Sequence, residues 1–465
     1  MTEVRDSEMN KRKYFGTDGI RGRANIYPIT GETALKVGMA AGKYFTTGKR
    51  RHHVVIGKDT RLSGYMIEPS LTAGFISMGM NVYLVGPMPT PAISMLTKSM
   101  RCDVGVMISA SHNSYEDNGI KLFGPDGNKL SDKNEMEIES IMDKINDLQL
   151  VESKFLGRAK RIDDAAGRYL EFIKSTFPSS QSLKSIKIVL DCANGAAYEV
   201  APRALWELGA EVISLGCSPD GTNINYNCGS THPEMMAEKV KEIGADIGIA
   251  LDGDADRCII SDEKGKFLNG DYLLGIIAKR YLDKKLLKNK SIVGTQITNK
   301  GLENYLNSIG LELLRAEVGD RYIIEKMKKY SSNIGGEQSG HIILSDYGNT
   351  GDGLVAALQI IACMKEQKLP VSQLGKEIKL LPQLIESVNY NSLKIYNIQQ
   401  EPKICEEVLQ AEKKLGKTGR VVLRPSGTEK KIRIMAECEE ENLLNKTIKN
   451  LKSRISTLIN EYEKN

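Results

Sequence analysis

Residues Lys187–Gly216, KIVLDCANGAAYEVAPRALWELGAEVISLG, contain the pattern that decides the fold. An apolar run is followed by a polar turn, a segment with helical periodicity, a glycine and a second apolar run. Strands of a parallel sheet that is covered on both faces have such near-continuous apolar sequences, and helices connect them. The segment therefore predicts one βαβ unit.

The same succession of elements occurs on both sides of this unit. Upstream, GETALKVGMAAGKYF, YMIEPSLTAGFISMG and PAISMLTKSM have helical periodicity and alternate with the apolar runs HVVIGKD, NVYLVG and DVGVMISA. Downstream, SIVGTQITNKGLENYLNSIGLELLRAEVG predicts a further βαβ unit. After about Pro370 the order becomes strand, loop, strand and long amphipathic helix, which indicates a smaller α+β module.

The chain has 465 residues, which is too long for one hydrophobic core and suggests about three domains, with four also reasonable. We predict an α/β protein with three similar mixed α/β sheet domains and a smaller C-terminal α+β domain. The predicted domain limits are 1–158, 159–262, 263–372 and 373–465.

Composition excludes several classes of protein. The net charge is only +5 and the basic residues are dispersed, so no nucleic-acid partner is expected. No apolar run reaches the roughly 18 to 20 residues of a membrane span, and the N-terminal segment has no signal-peptide core. The eight cysteines are scattered singly, which fits neither a disulfide framework nor a zinc site. We therefore expect a cytoplasmic protein without a membrane partner.

An isolated serine follows the predicted strand around Val104–Ile108, in the sequence SASHN. Ser111 would lie at the edge of an α/β sheet where ligands bind. Successive residues that leave a strand project in opposite directions, so His112 is predicted to be poorly placed to deprotonate Ser111. No GxSxG elbow is present at this point. A polar turn without chemistry is the alternative for this loop taken alone.

Three alternating aspartates follow another apolar run, in LDGDADR. The spacing of Asp252, Asp254 and Asp256 would aim three carboxylates at one point, where a hard divalent ion such as Mg²⁺ fits. An EF-hand is the competing interpretation, since Glu263 stands at the twelfth position. However, the sixth position is Arg257 instead of glycine, and the flanking sequence is strand-like. Arg257 is better explained as a phosphate clamp beside a metal.

Two further loops have the composition of binding sites. GGEQSGH would present an acceptor and a hydroxyl suited to a sugar, although a plain polar hairpin is the alternative; its candidates are Glu337, Ser339 and His341. LRPSGTEKKIRI would form a cradle of donors for an anion such as phosphate, without being a Walker loop. The members of this cradle are Arg424, Ser426, Gly427, Thr428 and Arg433. Together, the four loops predict phosphoryl transfer on a sugar phosphate, with Ser111 as covalent carrier.

Seven motifs, in family order, give the chain a resemblance to the α-D-phosphohexomutase superfamily. They are YFGTDGIRG, SASHN followed by DNGIK, LDCANGAA, PDGTNIN, LDGDADR, GGEQSGH and RPSGTE. The resemblance extends over nearly the whole chain and implies four domains around a central cleft. In order, these would carry the phosphoserine loop, the metal-binding loop, the sugar-recognition loop and the phosphate-binding loop.

The resemblance also implies roles for individual residues. Ser111 would be the phosphoserine, and its phosphate would complete the metal shell of Asp252, Asp254 and Asp256. Lys121 would be the general acid/base and Arg21 an active-site arginine that meets the phosphate, with His112 kept among the catalytic candidates. Glu337 and Ser339 would contact sugar hydroxyls, Gln338 marks the form of this loop associated with glucosamine phosphates, and the fourth loop would grip the non-reacting phosphate. Ser114 and Lys430 stand where most relatives have proline, which predicts altered mobility of these loops.

The implied reaction interconverts glucosamine 6-phosphate and glucosamine 1-phosphate, for UDP-N-acetylglucosamine synthesis. Its requirements would be one Mg²⁺ per chain, phosphoserine at Ser111 and glucosamine 1,6-bisphosphate as primer and intermediate. The partner would be a small amino-sugar phosphate, and a homodimer is left open. Two alternatives also stay open. One is a phosphomannomutase/phosphoglucomutase acting on hexose phosphates, and the remote one is a non-catalytic protein that binds a divalent ion or a sugar phosphate.

Overall fold

The computed structural model describes residues 12–16, 18–48, 50–390, 401–416, 418–425 and 431–464. In this part of the chain the strands form four separate sheets, of six, five, four and three strands. The prediction of three mixed α/β layers and a smaller C-terminal α+β unit is confirmed. None of the described helices has the length and apolarity needed to cross a membrane.

The first sheet has the strand order β1-β5-β4-β2-β3-β6. Strands β2, β3, β4 and β6 are parallel, whereas β5 is antiparallel to β4 and to β1. The strands are β1 Ile20–Arg23, β2 His53–Lys58, β3 Asn81–Pro87, β4 Val104–Ile108, β5 Asp117–Phe123 and β6 Ala159–Arg161. The helices are α1 Gly31–Phe45, α2 Gly64–Ser77, α3 Thr90–Ser99 and α4 Asp132–Asp143.

The second sheet has the order β11-β10-β9-β7-β8, with β7 parallel to both of its neighbours. Its strands are β7 Lys187–Asp191, β8 Glu211–Leu215, β9 Ile247–Leu251, β10 Cys258–Ser261 and β11 Phe267–Leu268, and its helices are α5 Ala165–Ser175, α6 Val200–Glu207 and α7 Glu234–Ile243. The βαβ unit predicted in Lys187–Gly216 is β7-α6-β8.

The third sheet has the order β13-β12-β14-β15, and its last two strands form a hairpin. The strands are β12 Ser291–Thr295, β13 Glu312–Ala316, β14 Ile334–Gly336 and β15 Ile342–Leu344. The helices are α8 Gly270–Asp283, α9 Lys300–Ser308, α10 Asp320–Tyr330 and α11 Gly353–Gln367.

The fourth sheet is antiparallel, with the order β16-β18-β17. Its elements are β16 Gln383–Asn389, α12 Pro402–Leu415, β17 Arg420–Pro425, β18 Lys431–Glu437 and α13 Glu441–Lys464. This unit has a hydrophobic core of its own, whereas one continuous core runs through the second and third sheets and reaches the first. The fourth unit is therefore the one most independent in its packing.

Two short strands bear on the predicted domain limits, which stay predictions. The strand β6 lies just after position 158 but pairs with β3 of the first sheet. The strand β11 lies after position 262 but pairs with β10 of the second sheet. The first and second sheets thus each extend a few residues beyond the predicted domain limit. Edge strands this short contain too few apolar residues for their sheet to be predicted from sequence.

Candidate active site

The loop after β4 brings Ser111 against an aspartate of the second sheet. The φ angle of Ser111 is 53°, in the left-handed region, so the alternation of side chains along the strand ends at this residue. Ser111 Oγ donates a hydrogen bond to Asp252 Oδ2 at 2.6 Å, and the Ser111 N–H donates to Ser109 Oγ at 2.9 Å. The Ser111 side chain is buried. A single hydroxyl from the first sheet therefore meets a carboxylate from the second.

His112 lies closer to Ser111 than strand alternation predicts. The left-handed turn brings His112 Nδ1 to 3.4 Å from Ser111 Oγ, so the predicted separation is wrong. The conclusion that His112 does not act as a base for Ser111 is supported by the pKa of its ring instead. Burial, together with the charges of Arg257 and Arg21, lowers the pKa of His112 to about 3. A ring with so low a pKa stays neutral and accepts protons weakly at pH 7.

Arg61 was not among the predicted site residues, yet it holds the Ser111 loop together. Its guanidinium is fully buried and pairs with Asp59 at 2.8 Å. It donates to the carbonyls of Ser111 and Asn113 at 2.9 Å each, to that of Asp117 at 3.1 Å and to that of Ser114. From the second domain, Asn225 Nδ2 donates to the carbonyls of Ser111 and Asn113, at 2.9 Å each. The loop is therefore fixed by its carbonyls from two directions.

We expect Arg61→Met to lower the free energy of unfolding by about 3 to 5 kcal/mol, because it leaves the buried Asp59 carboxylate and several carbonyls without their donor. Urea denaturation followed by circular dichroism measures the change. Arg203→Met removes an arginine from the exposed face of α6, where it pairs with Glu207, and should cost less than about 1 kcal/mol. A loss at Arg61 no larger than the loss at Arg203 would show that the clamp is not structural.

The three aspartates predicted as metal ligands lie together in the loop between β9 and β10. One carboxylate oxygen from each lies within 4.8 Å of the others, and all three residues are buried. Gly253 is required between the first two, because a Cβ there would lie 2.6 Å from the carbonyl of Ser111. Within the described part of the chain, Asp254 Oδ1 and Asp256 Oδ1 accept no hydrogen bond. Buried carboxylate oxygens that accept no hydrogen bond suit a hard cation.

Charges around the aspartates are only partly balanced. Burial and the two neighbouring carboxylates raise the pKa of Asp252 well above its ordinary value. Asp254 is better compensated, since its Oδ2 accepts from Lys121 Nζ at 2.8 Å and from Thr90 Oγ1 at 2.6 Å. Although burial opposes the charged amine, Asp18 and Asp254 raise the pKa of Lys121. The neighbouring cations therefore leave the charge of Asp252 incompletely balanced, which favours a bound cation.

Lys121 reaches this cluster from β5, a strand that the sequence analysis did not predict. It faces Met107 of β4 in the antiparallel pair, and its side chain is almost completely buried. Its Nζ also lies 3.4 Å from Asp18 and 3.9 Å from Asp256. The ammonium group is thus held between carboxylates of the first and second domains.

Two predicted arginines present donors beside the serine. Among the described residues, neither Arg21 Nε nor Arg257 Nε finds a hydrogen-bond acceptor, although both atoms are buried. Arg21 pairs with Asp18 through Nη2, and Arg257 Nη1 lies 3.0 Å from His112 Nδ1. Buried cationic donors that lack an acceptor suit an anion such as phosphate.

The predicted sugar loop is the turn of the β14–β15 hairpin. Glu337 is half-buried and accepts from the Gly319 N–H at 3.1 Å, while Ser339 is exposed. His341, predicted to bind substrate, is buried, with Nδ1 3.5 Å from Asp256 and Nε2 3.7 Å from Asp320. Although burial opposes it, the Asp256 carboxylate raises the pKa of His341. His341 is thus engaged by carboxylates within the protein, and its predicted contact with substrate stays a prediction.

Gln338, the residue that marks the loop variant, also turns away from its neighbours. Its Nε2 donates to Asp271 Oδ2 at 3.1 Å and to Gln383 Oε1 at 2.8 Å. Asp271 lies in the first turn of α8, and Gln383 is the first residue of the fourth sheet. The amide that sequence comparison would assign to the sugar is engaged within the protein.

Asp271 makes folding stability depend on pH. Burial, together with the nearby Glu437 and against the hydrogen bonds from Asn299 and Gln338, raises its pKa to about 7. A carboxyl group whose pKa is raised in the native state lowers the free energy of unfolding as the pH rises from its unfolded pKa of about 4 to its native pKa. Above the native pKa this loss of stability persists. From pH 4 to pH 8 we expect stability to shift in favour of Asp271→Asn, relative to wild type, by up to about 4 kcal/mol. Urea denaturation at the two pH values tests this, with the exposed Asp283→Asn as a control that should show no such shift.

The fourth sheet places two of the predicted phosphate-cradle residues side by side. Arg424 of β17 and Arg433 of β18 are paired across the antiparallel ladder. Burial and the charge of Arg433 lower the pKa of Arg424, whereas Glu337 of the sugar loop acts in the opposite direction. Arg424 thus lies near Glu337. The remaining members of the cradle, Ser426, Gly427 and Thr428, and the departure at Lys430, lie outside the described residues.

Comparison with known protein families gives matches along most of the chain. Models of the phosphoglucomutase/phosphomannomutase family match the chain in order: alpha/beta/alpha domain I at 12–149, domain II at 167–265, domain III at 269–380 and the C-terminal domain at 387–452. A phosphoglucosamine mutase from Parvibaculum lavamentivorans is 56% identical over 95% of this chain and 98% of its own length. This chain belongs to the phosphoglucomutase/phosphomannomutase family.

Solved structures of the family have the same fold. A family protein from Burkholderia thailandensis superposes with a TM-score of 0.80 at 22% identity, covering 95% of this chain and 97% of its own. An N-acetylphosphoglucosamine mutase from Aspergillus fumigatus, solved in complex with GlcNAc-6P and magnesium, gives 0.65 at 17% identity over 97% of both chains. At these identities the likeness concerns the fold alone.

Proposed function

We propose that this protein is a phosphoglucosamine mutase, which interconverts glucosamine 6-phosphate and glucosamine 1-phosphate. The observation that carries the proposal is the 2.6 Å hydrogen bond from Ser111 to Asp252, because it puts a possible phosphate carrier against a triple carboxylate cluster. The high identity to a curated phosphoglucosamine mutase over nearly the whole chain supports the choice of amino sugar. The product would feed UDP-N-acetylglucosamine synthesis.

Asp252, Asp254 and Asp256 would hold one Mg²⁺ per chain, with a phosphate oxygen on Ser111 completing the ligands. The buried Oδ1 atoms of Asp254 and Asp256, which accept no hydrogen bond from any described residue, support this assignment, as does the magnesium in the Aspergillus relative. When bound, Mg²⁺ would neutralise charge that develops on the transferring phosphoryl group.

The reaction would consist of two phosphoryl transfers through phosphoserine. In the first, a sugar hydroxyl attacks phosphorus and the bond from phosphorus to Ser111 Oγ breaks. Lys121, whose ion pairs favour the ammonium form, gives a proton to the departing Oγ and regains one from the attacking hydroxyl. Arg21 and Arg257 would place against the phosphoryl oxygens their Nε–H groups, which donate to no described residue.

The product of the first transfer would be glucosamine 1,6-bisphosphate. For the second transfer the bisphosphate has to present its other phosphate to Ser111, and the same steps then run in reverse. Glu337 and Ser339 would hold sugar hydroxyls in either orientation, and Arg424 with Arg433 would hold the phosphate that is not reacting. His112 would support the site through its contact with Arg257, instead of acting as a base.

The proposal is tested with purified protein, Mg²⁺ and a trace of glucosamine 1,6-bisphosphate. We expect turnover of glucosamine 6-phosphate at least about tenfold above that of glucose or mannose 6-phosphate, since a change in one polar contact is worth about 1 to 3 kcal/mol. Faster turnover of the hexose phosphates would favour the phosphomannomutase/phosphoglucomutase alternative, and no turnover of any of them would favour a binding protein.

Two properties of the molecule in the cell belong to the same proposal. We place the enzyme in the cytoplasm, where its sugar phosphates are made and used and where isolated thiols stay reduced. The homodimer left open by the sequence is tested by light scattering coupled to size-exclusion chromatography, which distinguishes the monomer mass of 51.4 kDa from twice that value.

A further inference from the structure

The side chain of Gln338 connects the sugar loop to the fourth domain. The backbone of its turn is seated on the start of α8, where the Gly270 N–H donates to the Gln338 carbonyl at 2.9 Å. A Cβ at Gly270 would lie 1.9 Å from the carbonyl oxygen of Glu337, so the approach requires glycine. With its backbone held there, the Gln338 amide extends to Gln383, the first residue of β16.

Gln383 begins a row of three side chains that crosses the fourth sheet. Gln383, Glu437 and Arg420 occupy the same register on β16, β18 and β17. Gln383 Nε2 donates to Glu437 Oε2 at 2.9 Å, and Arg420 donates to Glu437 Oε1 at 2.8 Å through Nε. Glu437 is completely buried. We call Gln383, Glu437 and Arg420 the joint row.

The joint row is fastened to the third domain through backbone carbonyls. Arg420 donates to the carbonyls of Gln296 and Thr298, at 2.8 and 3.0 Å. Gln383 Nε2 also donates to the carbonyl of Ile297 at 3.0 Å. Because the fourth domain has its own hydrophobic core, these polar contacts contribute much of its attachment to the segment after β12.

Hydrogen-bond polarity makes Gln338 a specific part of this arrangement. The Glu437 carboxylate can only accept, which fixes the Gln383 amide with its nitrogen towards Glu437 and its oxygen towards Gln338. Asp271 also presents an acceptor. A side chain that donates to both acceptors at once is needed at position 338, and a methionine of similar length could not do so.

The position of the joint row decides where the predicted phosphate-cradle arginines lie. Arg424 stands four residues beyond Arg420 on β17, which is about 13 Å along the strand. A small rotation at the joint row would therefore move Arg424 and Arg433 relative to Glu337. Gln338 follows Glu337 in the chain. The proposed sugar contact, Glu337, therefore stands next to the residue that contacts the fourth domain.

We propose that Gln338 is a positioning residue that sets the orientation of the fourth domain relative to the sugar loop, and that it does not recognise the sugar. The inference rests on the proposed function for its effect on substrate binding, but its effect on the joint row is independent of any substrate. The sequence analysis used Gln338 as a mark of amino-sugar specificity, whereas the proposal assigns it to positioning the fourth domain.

The first test measures sugar-phosphate binding by calorimetry in Gln338→Met, Gln383→Met and the double variant. We expect Kd to rise by about 5- to 20-fold for glucosamine 6-phosphate and for glucose 6-phosphate alike, since both carry the phosphate that the fourth domain would hold. The double variant should be no weaker than the worse single variant, because both changes break the same connection. The proposal would be overturned if Kd rose for glucosamine 6-phosphate alone, or if the fold-changes in Kd of the two single variants multiplied in the double variant.

The second test uses hydrogen exchange in the absence of substrate, so it stands even if the enzyme acts on another sugar. Amides of residues 381–389 should exchange faster in Gln338→Met and in Gln383→Met than in wild type. Gln410→Met, on the exposed face of α12, makes the same chemical change in the fourth domain and should match wild type in both tests. Unchanged exchange at 381–389 in Gln338→Met would overturn the inference, whereas changed exchange without turnover of glucosamine 6-phosphate would overturn the proposed function alone.

Discussion

Replacing Ser111 by alanine is expected to reduce mutase turnover by about 10⁴-fold or more, because it removes the hydroxyl that would carry the phosphoryl group between sugars. The same substitution should remove a fraction about 80 Da heavier from the intact-mass spectrum of the purified protein, which is the mass of a phosphoryl group. Coupled assay of glucosamine 1-phosphate formation and mass spectrometry measure the two effects on one sample.

The fold should survive this change. Serine and alanine both carry a Cβ, so the left-handed φ of 53° strains them equally, and the main loss is the hydrogen bond to Asp252, worth about 1 to 3 kcal/mol. The matched control is Ser114→Ala in the same loop, where the side chain is exposed and the carbonyl, which Arg61 holds, is kept. A turnover of Ser111→Ala close to that of Ser114→Ala would end the assignment of Ser111 as carrier.

Asp254→Asn is expected to lower turnover by about 10²- to 10³-fold and to raise the Mg²⁺ concentration at half-maximal activity. The amide keeps the size of the side chain and an oxygen for Thr90 and Lys121, but it removes one of three negative charges that would bind the cation. Removal of that charge also lowers the pKa of Lys121, since Asp254 is one of the two carboxylates that raise it most. Activity measured over a Mg²⁺ titration separates the metal effect from the effect on turnover.

The control for the loss of charge is Asp163→Asn, a largely exposed aspartate with an ion pair of 3.5 Å to Arg161. Its Mg²⁺ midpoint should equal that of wild type, because solvent screens an exposed charge far from the cluster. If Asp254→Asn kept the wild-type midpoint as well, the three aspartates would not be the metal ligands.

Elements with a regular period were predictable from sequence, and irregular contacts were not. The alternation in Lys187–Gly216 predicted β7, α6 and β8, because a covered parallel strand and an amphipathic helix each impose a local pattern. The strand β5 was missed, since its DNGIKLF sequence follows a cluster of turn residues and its pairing with β4 is decided by the first sheet. Lys121 was therefore placed by family resemblance, without the strand that carries it.

The site shows the same division between local spacing and long-range contact. The spacing of Asp252, Asp254 and Asp256 placed three carboxylates together, as the structure has them. Arg61 carries no recognisable motif of its own in the sequence, because its importance comes from carbonyls some fifty residues away. His341 and Gln338 belong to a motif that was found, but the residues that each side chain contacts were not predictable from the motif.

By itself, the sequence determined the α/β class, the four-part order of the chain and the acidic loop that suits a cation, since each of these depends on neighbours within a few residues. Only the tertiary structure decided that Ser111 meets Asp252 across two sheets, that Arg61 clamps its loop, that His341 backs Asp256 and that Gln338 faces the fourth domain. These contacts join residues far apart in the chain, so they are set by how the sheets pack on one another, and that packing leaves no local period in the sequence.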